Sequence, residues 1–305
     1  MNDEPGVPKN RIPTWVPWSI AAVSLAYVFA AAVVGAMLLR GNDSIQVRAL
    51  ARWLPVPVAR VGGQLVWARE YLDYRAFIET FLARTNQSAD VITTEASLSS
   101  QVLTLLVSNK ALERAAKLEG ITVSKAEVEG AYDDILVAQG GNAPREVTQD
   151  ELQTILEELY GSTQTQLYDL IRMRLIEDKV KSELIEQVRF RHILVRDEAR
   201  AREVLGRVAG GEDFAALAHE FSEHLESRDG GGDMGFVARG QQVEPMERAL
   251  FSNPVGLVAD PVQSEFGFHI VEVLEKKGRI QQTFDAWLTD AKARFHANVY
   301  LRSTI

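Results

Sequence analysis

The sequence predicts an α+β chain: one apolar membrane-length helix, then a long helical region, then a small module of short strands and helices. Three observations carry this. Residues 12–39 hold no charged side chain. Between about residue 70 and residue 187, apolar side chains recur at spacings of three and four, the period of an amphipathic helix. From Arg189 onward, short β-branched runs alternate with short helical runs and glycine-rich turns.

A length of 305 residues suits two ordinary domains. A net charge of −9 argues against a nucleic-acid surface, which needs clustered Lys and Arg. No cysteine is present, so disulfides and thiolate metal sites are excluded. That absence also suits an extracytoplasmic protein.

The first element is "WSIAAVSLAYVFAAAVVGAMLL", Trp18 to Leu39, about the length that crosses a bilayer as a helix. Trp15 and Trp18 fall where an interfacial aromatic belt belongs. A buried core helix of this length would carry a polar face. A cleaved signal peptide would have a shorter apolar part and a more basic start than Lys9 and Arg11 beside Asp3 and Glu4. The expectation is an uncleaved single-pass anchor over residues 18–40, contacting membrane lipid, behind a short tail of residues 1–17. Lys9 and Arg11 before it nearly balance Arg40, Arg48 and Arg52 after it; the small excess leans against an external C-terminus, but long domains cross regardless of charge, so it does not decide the orientation.

Next, Pro55 and Pro57 break any helix, and "VARVGGQLV" reads as strand, Gly-Gly turn, strand. Helix "SSQVLTLLVSNKALERAAKLEG" stops at Gly120. Three capping boxes follow: Ser124 with Glu127, Thr148 with Glu151, and Thr163 with Gln166. The third opens "LYDLIRMRLIEDKVKSELIEQV". "NAPREVTQD" is a polar loop between helices.

In the last third, "FRHILV" is strand-like. "DEARAREVLGRVAGG" and "DFAALAHEFS" are short helices, "MGFVA" is a strand, "PMERALFS" a helix and "FHIVEVLEKK" a closing strand. "TFDAWLTDAKARFHANVYL" is a final amphipathic helix with Phe284, Trp287, Ala291 and Phe295 on one face.

The stretch "SRDGGGDMGFVARGQ" contains GxGxxG, but a dinucleotide fingerprint follows a strand and opens a helix. Here the glycines follow a helix and lead into a strand. "HEFSEH" resembles a zinc-protease helix, yet His219 and His224 are five apart, about 140° around a helix, and do not converge on a metal. No metal or other cofactor is expected. No GxSxG elbow marks a serine hydrolase, and capping explains Ser222. Two histidines remain, His192 on the first strand of the module and His269 on its last. A lone strand histidine is usually structural. Two on strands that an antiparallel sheet can place side by side are a better candidate for a site.

"RHILV", "DFAALAHEFSE", "GGDMGFVARGQ", "PMERALF" and "PVQSEFGFHIVEV" resemble, in order and spacing, the parvulin peptidyl-prolyl isomerases. The likeness covers about Arg189 to Lys277. "VARVGGQLV", "ALERAAKLEGITVSKAEVE" and "YGSTQTQLYDLIRMRLIEDKV" resemble the helical chaperone domain of the SurA, PpiD and PrsA group. The resemblance implies a helical chaperone domain over residues 41–187, completed by 281–305. It implies a parvulin module over 188–278, built as a four-stranded antiparallel sheet flanked by helices, and a C-terminal helix over 279–305. By resemblance, His192, His269, Ser264 and His224 form the catalytic network. Met234, Val237, Gln242, Met246 and Phe266 form the substrate pocket. The glycine loop becomes a turn that permits positive φ and close backbone approach.

The sequence departs from the family where the proline sits. His224 stands where Cys or Asp is usual, Ser264 for Thr, Gln242 for Met, Met246 for Phe and Val237 for another aromatic. Met234 replaces Leu. The pocket is less aromatic and more polar than the pattern.

The resemblance implies a membrane-anchored isomerase and chaperone acting on X-Pro bonds of unfolded or nascent exported polypeptides, with its domains outside the cytoplasm. The alternative is a holdase whose parvulin module binds clients with little or no catalysis. Arg239 alone is too little for phosphate reading, so phospho-Ser/Thr-Pro selectivity is not expected.

Overall fold

The computed structural model describes residues 15–42, 44–85, 95–138 and 148–301. Within these, the side chains of 15–23, 84–85, 95–97, 136–138 and 159–160 lie outside the description. So do the N-terminal tail to residue 14, most of the "NAPREVTQD" loop and the interfacial roles of Trp15 and Trp18. The chain divides into two units. The first is Met1–Ala111, Val147–Gln164 and Phe295–Ile305, and the second is Leu112–Glu146 and Thr165–Arg294.

In the first unit the apolar segment is a single helix, α1 (Trp15–Leu39). Its described side chains begin at Ser24. Among the described residues no helix is long and apolar enough to cross a membrane. A short helix, α2 (Ile45–Ala51), follows. Strands β1 (Pro57–Val61) and β2 (Gln64–Trp67) then form the expected hairpin, with Val61 opposite Gln64. Gly62 and Gly63 have φ of 54° and 95°, as a two-residue turn matching strand twist requires. Helices α3 (Ala68–Thr85) and α4 (Glu95–Leu118) follow.

Helix α5 (Lys125–Ala138) opens with the Ser124/Glu127 box: Ser124 N–H donates to Glu127 Oε2 at 2.8 Å, and Glu127 N–H donates to Ser124 Oγ at 3.3 Å. Helix α6 (Gln149–Ile155) opens with the Thr148/Glu151 box and runs into a π-helical turn, Leu156–Tyr160. Helix α7 (Gln164–Lys179) ends in a second π-helical turn, Val180–Leu184. The helical pattern was expected to reach Val188. It stops earlier because Ile185 bridges to Ile280 and β3 (Gln187–Val195) already starts at Gln187, burying Val188 fully.

The second unit continues with α8 (Glu198–Ala209), α9 (Phe214–Phe221), α10 (Leu225–Arg228), β4 (Asp233–Ala238) and α11 (Glu244–Ser252). Strands β5 (Gly256–Leu257), β6 (Val262–Ser264) and β7 (Gly267–Lys277) complete its sheet. Asp197 and Asp213 cap α8 and α9, accepting from Arg200 N–H and Ala216 N–H.

This sheet has five strands rather than the expected four. Its order is β4-β3-β7-β5, and β6 also pairs with β7. The extra strand arises because β7 is long, 11 residues, and two short strands share its outer edge in succession. β5 pairs at Val273 and Glu272, and β6 pairs from His269 to Gly267. Each face carries its own core. Val188, Phe190, Val271 and Val273 pack with Met246, Leu250 and Phe251 of α11. Ile193, Val195 and Ile270 pack with Val204 of α8 and Phe214 and Leu217 of α9.

The final helix is shorter than expected. α12 (Phe284–Arg294) buries Trp287 and Ala291, but His296 takes φ 47° and the chain turns extended. β8 (Asn298–Val299) pairs with β1 at Ala59 and Arg60, giving the first unit a three-stranded sheet.

Candidate functional site

β3 and β7 lie side by side at the centre of the five-stranded sheet. His192 sits opposite Val271, and His269 opposite Leu194. The two histidines are therefore diagonal neighbours on one face, a spacing that ring side chains can bridge. Their Nδ1 atoms are 3.1 Å apart. The rings lie nearly parallel, at 18°, with centroids 5.3 Å apart. Each is only 5% exposed.

The β6–β7 hairpin supplies the next group. Pairing of Ser264 with Gly267 brings Ser264 Oγ to 2.7 Å from His269 Nε2. Phe266 N–H donates to the same oxygen at 3.1 Å. Gly267 makes this hairpin possible: its φ is 135°, and a Cβ there would lie 2.5 Å from Val195 O.

The loop after α9 supplies a third histidine. His224 stands edge-on to His192, at 69° and 4.8 Å between centroids. Its Nδ1 lies 2.8 Å from Ser227 Oγ. Glu223 N–H donates to Leu194 O at 2.8 Å. Ser222 Oγ accepts from Leu194 N–H and His224 N–H, both at 3.3 Å. Ser222 and Ser227 are both buried. Ser222 is the C-cap of α9, as expected, with its N–H donating to Ala218 O, and its hydroxyl also ties the loop to β3. The Ser222 bond to β3 and the Ser227 contact with His224 were not expected from the sequence. Two serines flanking His224 in a short polar loop were the available signal.

Electrostatics follow from burial. The His192 pKa falls from 6.5 to about 3, through burial first and then the charges of His269 and His224. That of His269 falls to about 4, through burial and then His224. Desolvation disfavours the charged imidazolium, so both rings are neutral at pH 7. Among the described residues, His192 Nε2 is buried without a hydrogen-bond partner.

The glycine loop supports this geometry from behind. His192 N–H donates to Gly232 O at 3.0 Å. Gly232 has φ 82°, and a Cβ there would lie 2.4 Å from His192 O. His219, the other half of the apparent zinc motif, is on the surface 4.0 Å from Asp229, while His224 faces His192.

The expected pocket residues divide. Val237 and Met246 are buried in the core around Phe190, and Met234 packs against it half-buried. Phe190 stands edge-on to His192, with centroids 6.0 Å apart. Phe266 is 60% exposed, beside Ser264. Gln242 is half-buried in the turn before α11, and among the described residues no hydrogen bond ties it to the histidines.

A small antiparallel sheet with paired histidines at its centre and helices on both faces defines a parvulin-type module, and the comparisons with known proteins agree. The family model described as the PPIC-type PPIASE domain matches residues 169–277, and the SurA-like N-terminal domain matches residues 12–137. The chain thus carries a parvulin-type PPIC domain behind a SurA-like N-terminal domain. Among its relatives is foldase protein PrsA 3 of Bacillus cereus, 39% identical over 35% of this chain and 38% of that protein. Foldase protein PrsA of Caldanaerobacter subterraneus is 32% identical over 63% of each chain. The chain thus matches less than two thirds of the length of these relatives. A crystal structure of the peptidylprolyl isomerase PrsA from Bacillus anthracis is 23% identical, covering 63% of this chain and 86% of that one with a TM-score of 0.32. A superposition of that quality adds nothing to the sequence matches.

Proposed function

We propose that the chain is a membrane-anchored foldase whose parvulin module isomerises X-Pro bonds of exported, partly folded polypeptides. The buried His192–His269–Ser264 line carries this reading. An X-Pro bond turns slowly because its amide has partial double-bond character, with a barrier of about 18–20 kcal/mol. The site needs no nucleophile. It must bind the twisted amide better than either planar form.

In that role Met234, Met246 and Val237 offer the proline ring an apolar wall, with Gln242 and Phe266 at its edge. Withdrawing the carbonyl from water disfavours the charge-separated resonance form of the amide. The neutral histidines keep the floor of the site uncharged and fix its hydrogen bonds, and Ser264 and His224 complete the network. The lack of charge from Ile12 to Leu39 supports α1 as the anchor, with the domains that follow it outside the cytoplasm. The PrsA relatives are foldases by name, which supports unfolded chains as clients.

The test is cis/trans exchange of an Ala-Pro peptide by NMR exchange spectroscopy with the full chain. Acceleration that falls at least about 100-fold in His269→Leu, in line with loss of a preorganised hydrogen-bonding group, supports the isomerase. No acceleration from the folded chain leaves the holdase. Gln242 and Val237 favour that second reading, since they make the proline wall more polar and less aromatic.

A further inference from the structure

The three histidines of the site differ in what they leave free. Both nitrogens of His269 are engaged, Nδ1 by His192 and Nε2 by Ser264. His192 keeps only a buried Nε2. His224 is half-buried and is held at Nδ1, 2.8 Å from Ser227 Oγ. Among the described residues its Nε2 has no hydrogen-bond partner and is not one of the buried orphans, so it opens to solvent. His224 is therefore the histidine of the cluster with a nitrogen to offer a ligand.

Ser227 decides what that nitrogen carries. It is 4% exposed, and among the described residues its hydroxyl has His224 Nδ1 as its partner. With the proton on Nδ1, Ser227 would accept it and bury its own O–H without an acceptor. An orphaned buried donor is rarer than an under-used lone pair. Ser227 thus donates to Nδ1, and a neutral His224 carries its proton on Nε2. The same residue holds the loop behind His192. Ser227 O accepts from Gly230 N–H at 3.0 Å and from Gly232 N–H at 2.8 Å, and Gly232 O in turn accepts from His192 N–H.

We propose that Ser227 is a positioning residue that holds His224 as an Nε2–H donor to a bound X-Pro amide. The proposal rests on the isomerase reading. A planar amide commits its nitrogen lone pair to resonance. Twisting the bond releases that pair, which then accepts a hydrogen bond. An N–H at the prolyl nitrogen is stronger in the twisted state than in either planar one, and only such a difference speeds rotation. An N–H on the carbonyl would instead strengthen the resonance form.

Two arms test this in the full chain. Long-range proton–nitrogen NMR correlation reads the His224 tautomer in the native protein and in Ser227→Ala, which keeps both main-chain bonds to the glycine loop. The expected result is Nε2–H in the native chain and a rise of the Nδ1–H form in the variant. Nδ1–H in the native chain, or an unchanged tautomer in Ser227→Ala, overturns the positioning role. The second arm is exchange of an Ala-Pro peptide. Glutamine can place an N–H where His224 has Nε2, whereas asparagine reaches only as far as Nδ1. His224→Asn should lower kcat about 100-fold with little change in KM, and His224→Gln should recover most of that loss. Ser227→Ala should lower kcat about 5-fold, the worth of one net hydrogen bond. Equal losses in the Gln and Asn variants overturn the donor. A native chain with the Nε2–H tautomer that accelerates no exchange sinks the isomerase reading, and the donor's role towards X-Pro with it, while the tautomer arm still stands for Ser227.

Discussion

Nδ1 of His192 lies 3.1 Å from Nδ1 of His269, a contact in which one nitrogen must carry a proton and the other must not. Ser264 Oγ at His269 Nε2 extends the line, so only two arrangements of neutral rings satisfy it. Either His192 donates through Nδ1 and His269 donates through Nε2 to Ser264, or every donor reverses. Reversal puts a proton on His192 Nε2, which is buried without a partner among the described residues. An orphaned N–H is rarer in proteins than an under-used acceptor. The first arrangement is therefore favoured. Long-range proton–nitrogen NMR correlation should report His192 as the Nδ1–H tautomer and His269 as Nε2–H. A His192 protonated on Nε2 would reverse the donor line.

The same burial makes stability depend on pH. An unfolded chain takes up a proton on each histidine near 6.5, while the folded values lie near 3 and 4. Between these limits the unfolded state holds more protons, so stability falls as pH falls. It is fully present above about pH 7 and is lost progressively from 6.5 down to about 4 for His269 and about 3 for His192. The slope from each ring is at most about 1.4 kcal/mol per pH unit. Urea unfolding at pH 7 and pH 5 should show a larger loss in the native chain than in His192→Phe. Equal losses in the two would place the acid sensitivity elsewhere.

The glycine loop contributes geometry that a substitution can probe. Gly232→Ala would set a Cβ 2.4 Å from His192 O at φ 82°. Left-handed strain costs about 1–3 kcal/mol, and loss of the His192 N–H bond to Gly232 O adds about 1 kcal/mol. The expected loss is on the order of 3 kcal/mol, measured by urea unfolding, with the His192 ring resonances displaced. Gly230→Ala is the control. Gly230 lacks a positive φ and its nearest atom is Ser227 O at 3.5 Å, so a change within about 0.5 kcal/mol is expected. Similar losses for both would mean that the backbone approach to His192 is not what requires glycine.

Much of this site was legible in sequence because strands announce themselves locally. The parity of Val188, Phe190 and His192 puts His192 on the α11 face, and the same period along β7 does so for His269. That they are diagonal neighbours depends on register, which hydrogen bonding between distant segments sets and no local pattern states. The fifth strand was hidden for a related reason, since β5 has two residues, too few for a periodic signal. The shortened last helix has a similar cause. The final helix was expected to run through "ANVYL", but β1 offers an open edge and wins its backbone hydrogen bonds, with Tyr300 N–H donating to Val58 O at 2.9 Å. The side-chain partners of Ser222 and Ser227 were harder to read, because they lie on another segment or in a loop without periodicity.

The third histidine is the feature that most separates this site from the pattern it resembles, and it can be tested directly. His224 stands 4.8 Å from His192 between ring centroids, and its charge contributes to lowering both other imidazoles. His224→Ala removes that repulsion, and His224→Asp replaces it with attraction, since a nearby carboxylate favours imidazolium. Proton NMR titration should therefore show His192 and His269 moving upward in each variant, more in Asp than in Ala. They should stay below 6.5 in the Ala variant, because burial is the first cause of both shifts and the sheet and α11 still supply most of it. Any activity limited by imidazolium formation at low pH should extend to lower pH in the native chain than in His224→Asp. Unmoved titrations in both variants would mean that burial alone holds the pair neutral and that His224 acts only through its contact with Ser227.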